Sequence, residues 1–358
     1  MSIHLKQLLH KLRTLLLFVP RWFLHGSPLK SDEEIIFFPT GANHTSEGKW
    51  QVPIHAWIYD SEEHALSREL SRHVIREFLE LADLTEEQDH SEVFKQRIKW
   101  FLVDSERNKR VGLRVGDKTV QSSRSEANGH ITFTIDYQTT AKPGTWVKLP
   151  LTTPLGDSRT FEAEAQLIPE QGLSVISDID DTIKISEVID KKALIEHVFF
   201  KEYEATPGMP GFYTELEKKG AYFHYISASP WQLYPSLIAF VDAHYPKGSF
   251  SLRYFRVTDS SFIRFFRSSM DYKIATISTI IQRYPQHEFI LIGDSGENDP
   301  EVYATIFKRY PQNVKKILIR KVKGSDTGPE RKKQVFADVP DSKWDLYDTP
   351  LYLSLIHI

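Results

Sequence analysis

Two textures of hydrophobic patterning divide this chain. Between residues 35 and 170, apolar and polar positions alternate. Ile131, Phe133, Ile135 and Tyr137 interleave with Thr132, Thr134 and Asp136, and Phe161, Ala163, Ala165 and Leu167 interleave with Glu162, Glu164 and Gln166. A period of two predicts half-buried strands of a mostly antiparallel, sandwich-like β unit. Ala65, Leu66, Leu70, Val74, Phe78 and Leu81 recur at helical spacing, so an amphipathic helix is expected to interrupt the strands. From Leu173 onward the texture changes to short apolar runs at 173–176, 222–226, 289–292 and 317–319. Between them lie helical patterns at 212–219, closed by Gly220, and at 272–284, with Ile274, Ile277, Ile280 and Ile281 on one side. Strand, helix, strand in that order predicts an α/β fold with a parallel sheet covered by helices, whose ligands bind beyond the carboxyl ends of the strands.

The ends of the chain add two expectations. Leu5, Leu8, Leu9, Leu12, Leu16 and Val19 fall at helical spacing, with Lys6, His10 and Arg13 on other faces, and the run stops at Pro20. It is too short for the roughly 20 residues of a membrane span, and no small-residue cleavage site follows it. A basic amphipathic helix carrying Trp22 and Phe23 either lies in a membrane interface or docks on the chain's own core, and the pattern leaves both readings open. At the other end, residues 353–358 form an apolar tail with no cap or stop signal, which reads like translated adapter DNA. The expected organisation is a basic helix and linker at 1–34, a mostly β accessory domain at 35–170, an α/β domain at 171–345 and an artefactual tail at 346–358.

Composition narrows the chemistry. The chain has 358 residues, enough for two domains, with 41% hydrophobic and 12% aromatic residues. Its formal net charge of −3 gives no reason to expect a nucleic-acid partner. The absence of cysteine excludes disulfides, thiolate zinc sites and cysteine nucleophiles. No Gly-x-Ser-x-Gly elbow, Walker loop or Gly-x-Gly-x-x-Gly turn occurs.

What remains is acidic. The run Val175-Ile176-Ser177-Asp178-Ile179-Asp180-Asp181-Thr182 leads from a buried strand straight into three carboxylates. Like charges are brought to one point only where a cation or phosphoryl transfer calls for them. A calcium loop starting at Asp178 is excluded, because Ile183 and Ile189 stand where it needs Gly and Glu. The second apolar run ends in Ser227, the third in Gly293-Asp294-Ser295-Gly296-Glu297-Asn298-Asp299, and Lys273 opens the helix before it. His197 and His224 have no partner at ligand spacing and are read as structural.

These four elements, in this order, resemble the four motifs of the haloacid dehalogenase superfamily, most of whose members are Mg²⁺-dependent phosphatases with an aspartate nucleophile. The resemblance implies a Rossmannoid parallel sheet with a small cap. It implies Asp178 as nucleophile and Asp180 as acid/base, with Ser227 and Lys273 donating to phosphoryl oxygens. It also implies a Mg²⁺ shell drawn from Asp178, Asp180 and Asp294, with Asp299 as a metal ligand or an orienting acid behind the shell. Thr182, Ser229 and Arg253 are the expected substrate contacts, with Ser229 and Trp231 shaping the pocket wall.

A narrower resemblance, covering residues 171–325, is to the actin-patch-associated phosphatidate phosphatases. Ser177 to Lys184, Pro207-Gly208-Met209, the stretch Tyr225-Ile226-Ser227-Ala228-Ser229-Pro230-Trp231-Gln232-Leu233-Tyr234 and the stretch Gly293 to Glu301 carry it. It implies a phosphoric monoester hydrolase that converts phosphatidate to diacylglycerol, with a phospholipid substrate. Residues 1–170 match the family less clearly, so its targeting does not carry over; the chain is expected to be cytoplasmic, or peripheral on a membrane through its N-terminal helix. The short insert between Ile183 and Thr206 suits a bulky substrate. Arg253, Arg256 and Arg264, interleaved with Tyr254, Phe255, Phe262, Phe265 and Phe266, either meet an anionic headgroup at a membrane interface or belong to a loop whose aromatics pack on the sheet while its arginines face water. Two alternatives stay open: a phosphatase for a soluble phosphomonoester or phosphoprotein, and a membrane-recruited phosphate-binding module without turnover.

Overall fold

The computed structural model describes residues 27–45, 47–60, 91–255 and 270–350. The N-terminal basic helix, the helix expected across 65–81, Arg256, Arg264 and the tail at 353–358 lie outside the described residues. Alternation in the first half becomes a sheet of β1 (Glu33–Phe38), β2 (Thr40–His44), β3 (Trp50–Asp60), β4 (Asp104–Ser105), β5 (Gly112–Val115), β6 (Lys118–Gln121), β7 (His130–Tyr137), β8 (Trp146–Thr152) and β9 (Glu162–Ile168). Its pairings are antiparallel except β2 with β9. Ile131 and Ile135 of β7 turn into the core while Thr132 and Thr134 face out, as a period of two requires. A helix, α1 (Glu92–Leu102), is capped by the Ser91 hydroxyl and buries Phe94, Arg97, Ile98 and Phe101.

The second half forms a wholly parallel sheet of β10 (Gln171–Asp178), β11 (Tyr222–Pro230), β12 (Ser249–Arg253), β13 (Gln286–Asp294), β14 (Val314–Arg320) and β15 (Trp344–Tyr347), in the order β12-β11-β10-β13-β14-β15. Helices α2 (Lys191–Ile195), α3 (Met209–Lys218), α4 (Tyr234–His244), α5 (Met270–Arg283), α6 (Asp299–Arg309) and α7 (Pro329–Val335) connect and cover it. Val175, Ile290, Ile292 and Leu318 pack with Tyr213, Leu216, Leu237 and Val241 of α3 and α4. Ile176, Leu291, Ile317 and Ile319 pack with Ile277, Ile281, Val302 and Ile306 of α5 and α6. Both faces are therefore buried, which is why these strands read as unbroken apolar runs. Gly220, at φ +81°, ends α3 in the left-handed conformation expected of a helix stop.

Sequence patterning alone misses both edge strands, since Ser249–Arg253 and Trp344–Tyr347 lack an apolar run. β15 carries Leu346 and the buried Tyr347 into the segment expected to be tail. The chain runs outward from β10 to β12 and then returns to β13 on β10's other side. That reversal opens a crevice between the carboxyl ends of β10 and β13, where sheets of this kind bind ligands.

The two halves share one core. Phe38, Trp57, Phe94, Ile98 and Phe101 of the first belong to the same buried cluster as Val175, Phe199, Trp231 and Phe255 of the second. The insert after β10 ends in a π-helical turn, Glu196–Phe200, that docks on α1, with Phe200 stacked on Phe94 at 4.7 Å between ring centroids. Phe38 meets Trp231 at 4.1 Å.

His55, His130 and His224 lie in this interior, the first half-buried and the other two buried. His55 Nε2 and His130 Nδ1 are 3.0 Å apart, and His224 Nδ1 is 2.8 Å from Ser249 Oγ. His197, the other histidine expected to be structural, lies 3.9 Å from Glu187. Burial holds His55 and His224 at about 3, and burial with the neighbouring His55 holds His130 at about 2. An unfolded histidine titrates near 6.5. Between these values the unfolded chain binds protons that the folded chain refuses, so stability present above about pH 6.5 is lost as the pH falls. The cost is about 1.2 kcal/mol per histidine between pH 7 and pH 5.5. Denaturant unfolding at these two pH values should show a drop smaller by about that amount in His224→Asn than in the native chain. Parallel drops would contradict the assignment.

Candidate active site

The crevice is lined by the groups the sequence singles out. β10 delivers Asp178 at its last residue, and the tight turn after it places Asp180, Asp181 and Thr182. Asp181, at φ +53°, faces away from the chemistry. Its carboxylate accepts from the backbone N–H groups of Ser186, Glu187 and Val188 and staples the loop that follows. β13 delivers Asp294 at its end, and α6 begins with Asp299. α5 lays Ile274, Ile277, Ile280 and Ile281 on the sheet, which turns Lys273 in its first turn toward the strand ends.

Lys273 organises the site. Its ammonium, 2% exposed, donates to Asp178 Oδ1 at 2.7 Å, Glu297 Oε2 at 2.9 Å and Asp299 Oδ1 at 2.5 Å. Burial disfavours its charge, but the three carboxylates outweigh that and drive its pKa well above the ordinary lysine value. The carboxylates bear the complementary strain. Burial, with repulsion from Asp299, Glu297 and Asp180, pushes Asp178 up despite Lys273. Burial and repulsion from Asp299 and Asp178 push Asp294 up, and burial raises Glu297.

The remaining polar atoms show where a ligand is wanted. Thr182 Oγ1 donates to Asp178 Oδ2 at 3.2 Å. Asp299 Oδ2 accepts from the Asp294 N–H at 3.2 Å, so both of its oxygens are engaged. Asp294 Oδ1 accepts from the backbone of Gly296 at 2.6 Å and of Glu297 at 3.2 Å, while its Oδ2 is buried with no partner. An orphaned buried carboxylate oxygen is costly unless a cation meets it. Among the described residues, Asp178, Glu297 and Asp299 hold carboxylate oxygens within 4.8 Å of one another. All three face the Lys273 ammonium, so that trio serves the lysine, and the open oxygen of Asp294 is the better sign of a metal position.

Asp180 sits in a different environment. Lys184 Nζ lies 2.8 Å from its Oδ1, Ser186 Oγ donates to Oδ1 at 2.8 Å, and Ser227 and Ser229 donate to Oδ2 at 2.9 and 3.2 Å. Burial alone would raise its pKa, but Lys184 and the hydroxyls hold it down at about 2. Arg253 ends β12 beside Pro230, half-buried, on the same edge of the sheet. The structure thus gathers Asp178, Asp180, Thr182, Ser227, Ser229, Lys273, Asp294 and Asp299 into one site. Sequence reasoning quotes Glu297 and Lys184 only as letters of motifs and assigns neither a task. Their signal is positional: each is a charged residue within a few positions of an apolar strand's end.

Gly293 makes the Asp299 contact fit. A Cβ there would lie 2.4 Å from Asp299 Oδ2 and 2.7 Å from Tyr303 Cε2, both held in packed surroundings. Gly293→Ala should destabilise the fold by about 1–3 kcal/mol. Gly211→Ala, in α3 with nothing within 4 Å, should stabilise it by about 0.5–1 kcal/mol. Denaturant midpoints of the two variants check both signs.

Comparison with known proteins finds similarity across this site. Residues 173–321 match the family model described as the catalytic domain of phosphatidate phosphatase APP1. The chain is 34% identical over 167 residues to phosphatidate phosphatase APP1 of Saccharomyces cerevisiae, covering 46% of this chain and 28% of that protein. It is 28% identical over 179 residues to an uncharacterised protein of Schizosaccharomyces pombe, covering 49% of this chain and 29% of that one. The chain thus aligns with less than a third of the length of each of these curated relatives. Asp178, Asp180, Ser227, Lys273 and Asp294 all fall inside the segment that is similar to the phosphatidate phosphatase catalytic domain.

Proposed function

We propose that this chain is a Mg²⁺-dependent phosphatidate phosphatase of the haloacid dehalogenase type, releasing diacylglycerol and phosphate. The observation that carries the reading is the convergence of Asp178, Lys273, Asp294 and Asp180 at the strand-order reversal, inside the segment that matches the family model. Asp294 and Asp178, with the Asp180 carbonyl, would hold Mg²⁺, and the unpartnered Asp294 oxygen fits that task. The ion would offset the repulsion between carboxylate and phosphate and polarise a phosphoryl oxygen.

The rest is the work of the chain. Asp178 attacks phosphorus through a carboxylate oxygen and the ester bond breaks, leaving an aspartyl-phosphate. Asp180, held ionised by Lys184 and the hydroxyls around it, would take up a proton as the anionic phosphate beside it raises its pKa, give that proton to the departing alkoxide, and take one back from the water that hydrolyses the acyl phosphate. Lys273 already spends its donors on three carboxylates, so it acts first by fixing Asp178. Ser227, whose hydroxyl donates to Asp180 Oδ2, would turn that donor to a non-bridging phosphoryl oxygen.

A lipid substrate draws support from the same edge. Exposed large apolar side chains among the described residues are Leu155, Ile189 and Tyr254. Ile189 packs close to Gly296 in the loop that carries Asp294's partners, and Tyr254 follows Arg253 at the end of β12.

Purified protein with Mg²⁺ should release phosphate from phosphatidate in mixed micelles, and EDTA should abolish the release. Asp178→Asn should lower the rate at least about 10³-fold, roughly 4 kcal/mol of barrier. Normal turnover by that variant would refute the assignment. Stronger turnover of soluble esters, indifferent to micelles, would replace the substrate and leave the chemistry standing. Binding is read separately by thermal melting. At about 100 times its dissociation constant, Mg²⁺ should stabilise the native protein by about 2.7 kcal/mol, and Asp294→Asn should lose that gain. An undiminished gain would move the ion elsewhere.

A further inference from the structure

The first half of the chain reads as an accessory unit without catalytic groups, and the family match leaves it out. One buried line of contacts argues otherwise. Arg97, on α1, is 4% exposed and donates to the carbonyl oxygens of His197, Val198 and Lys201 at 3.3, 2.8 and 2.7 Å, which closes the π-helical turn of the insert. Its guanidinium carbon also lies 3.8 Å from the centre of the Tyr203 ring. The Nζ of Lys184 lies 4.8 Å from the same centre. Lys184, 1% exposed, then pairs with Asp180 Oδ1 at 2.8 Å and bonds Ser186 Oγ, which itself donates to Asp180 Oδ1.

The physical reason to take this seriously is cost. A fully buried lysine loses several kcal/mol of hydration unless its partners are fixed. Lys184 has one carboxylate, one hydroxyl and one aromatic face, and the face is held by Arg97 from a helix roughly a hundred positions earlier in the chain. A flexible surface lysine would neutralise Asp180 without orienting it. This one is confined on every side the structure describes, so it can set the direction of the carboxylate.

We propose that Arg97, Tyr203 and Lys184 are positioning residues that fix the Asp180 carboxylate, so that α1 is a working part of the catalytic unit. The inference rests on the phosphatase reading, in which Asp180 protonates the leaving oxygen. A misplaced acid slows esters whose leaving group must be protonated and spares those whose leaving group departs as a stable anion, whereas general damage to the site slows both.

The test compares full-length protein on phosphatidate in mixed micelles, an alkyl ester, and on p-nitrophenyl phosphate, with folding followed by thermal melting. Lys184→Met should lose about 10²-fold in kcat/KM on phosphatidate and stay within about threefold on the nitrophenyl ester. Arg97→Gln, which removes the guanidinium from the Tyr203 ring and keeps at most two N–H donors for the three carbonyls, should show the same split at about tenfold. Tyr203→Phe, which keeps the ring, should behave like the native chain, while Tyr203→Leu should follow Arg97→Gln. Equal losses on both esters in Lys184→Met, no loss at all, or Tyr203→Phe as impaired as Tyr203→Leu would overturn the inference alone. Native protein inactive on both esters would overturn the phosphatase reading, and this inference with it.

Discussion

The structure around the crevice depends on one electrostatic constraint: a single buried ammonium, Lys273, serves three carboxylates. Buried acids repel one another and cannot all stay ionised without a counter-charge. Lys273 supplies one positive charge, and Asp294 adds a fourth carboxylate whose second oxygen has no partner. The geometry of β10, α5, β13 and α6 follows from the need to bring three carboxylates within 2.9 Å of one ammonium, with Asp294 beside them. Each element ends or begins at its functional residue, and each hides an apolar face beneath it. Ile176 and Leu291 bury the strands, and Ile274 and Ile277 bury the helix. The unfavourable charge density is held in place by packing that has nothing to do with charge.

That packing crosses from one half of the chain to the other. Burying Trp57, Phe94 and Phe101 in the same cluster as Phe199, Trp231 and Phe255 is worth roughly 1.5–3 kcal/mol per large side chain. Part of that is lost to either half alone. The segment that resembles the phosphatidate phosphatases begins at residue 173, so it ends where the sequence stops being similar and not where the core stops. The insert shows the consequence. The insert expected to be a small cap that leaves the site open spends Phe200 on Phe94 and is fixed against α1.

The parts of this architecture legible in the sequence are those whose signal is local. The four central strands announce themselves because both faces are buried, and α3 and α5 because an apolar face repeats at helical spacing. The acids at the strand ends are legible because an apolar run that stops at a carboxylate has few explanations. β12 and β15 are not legible, since edge strands need no continuous run. Arg97 is the clearest miss. An arginine in an amphipathic helix usually lies on the wet face, and nothing within ten residues of it reveals that its partners are the carbonyls of residues 197, 198 and 201. Glu297 is similar. It sits in a glycine-rich loop, where an acid reads as solvated until Lys273 is seen beside it.

Asp178 and Asp180 show how much two positions can matter. They stand two positions apart and both are buried, yet their surroundings push them in opposite directions. The difference lies in how the cations are shared. Lys273 is divided among Asp178, Glu297 and Asp299, so each carboxylate receives a fraction of one charge. Lys184 faces Asp180 alone among the carboxylates, and three serine hydroxyls add to it. A mechanism that asks one carboxylate to attack and its neighbour to move protons requires that the two not titrate together. Under the proposed function, a divalent cation on the open oxygen of Asp294 would add positive charge on the side of Asp178, and an anionic phosphate beside Ser227 would add negative charge on the side of Asp180, so the pKa of Asp178 would fall and that of Asp180 would rise.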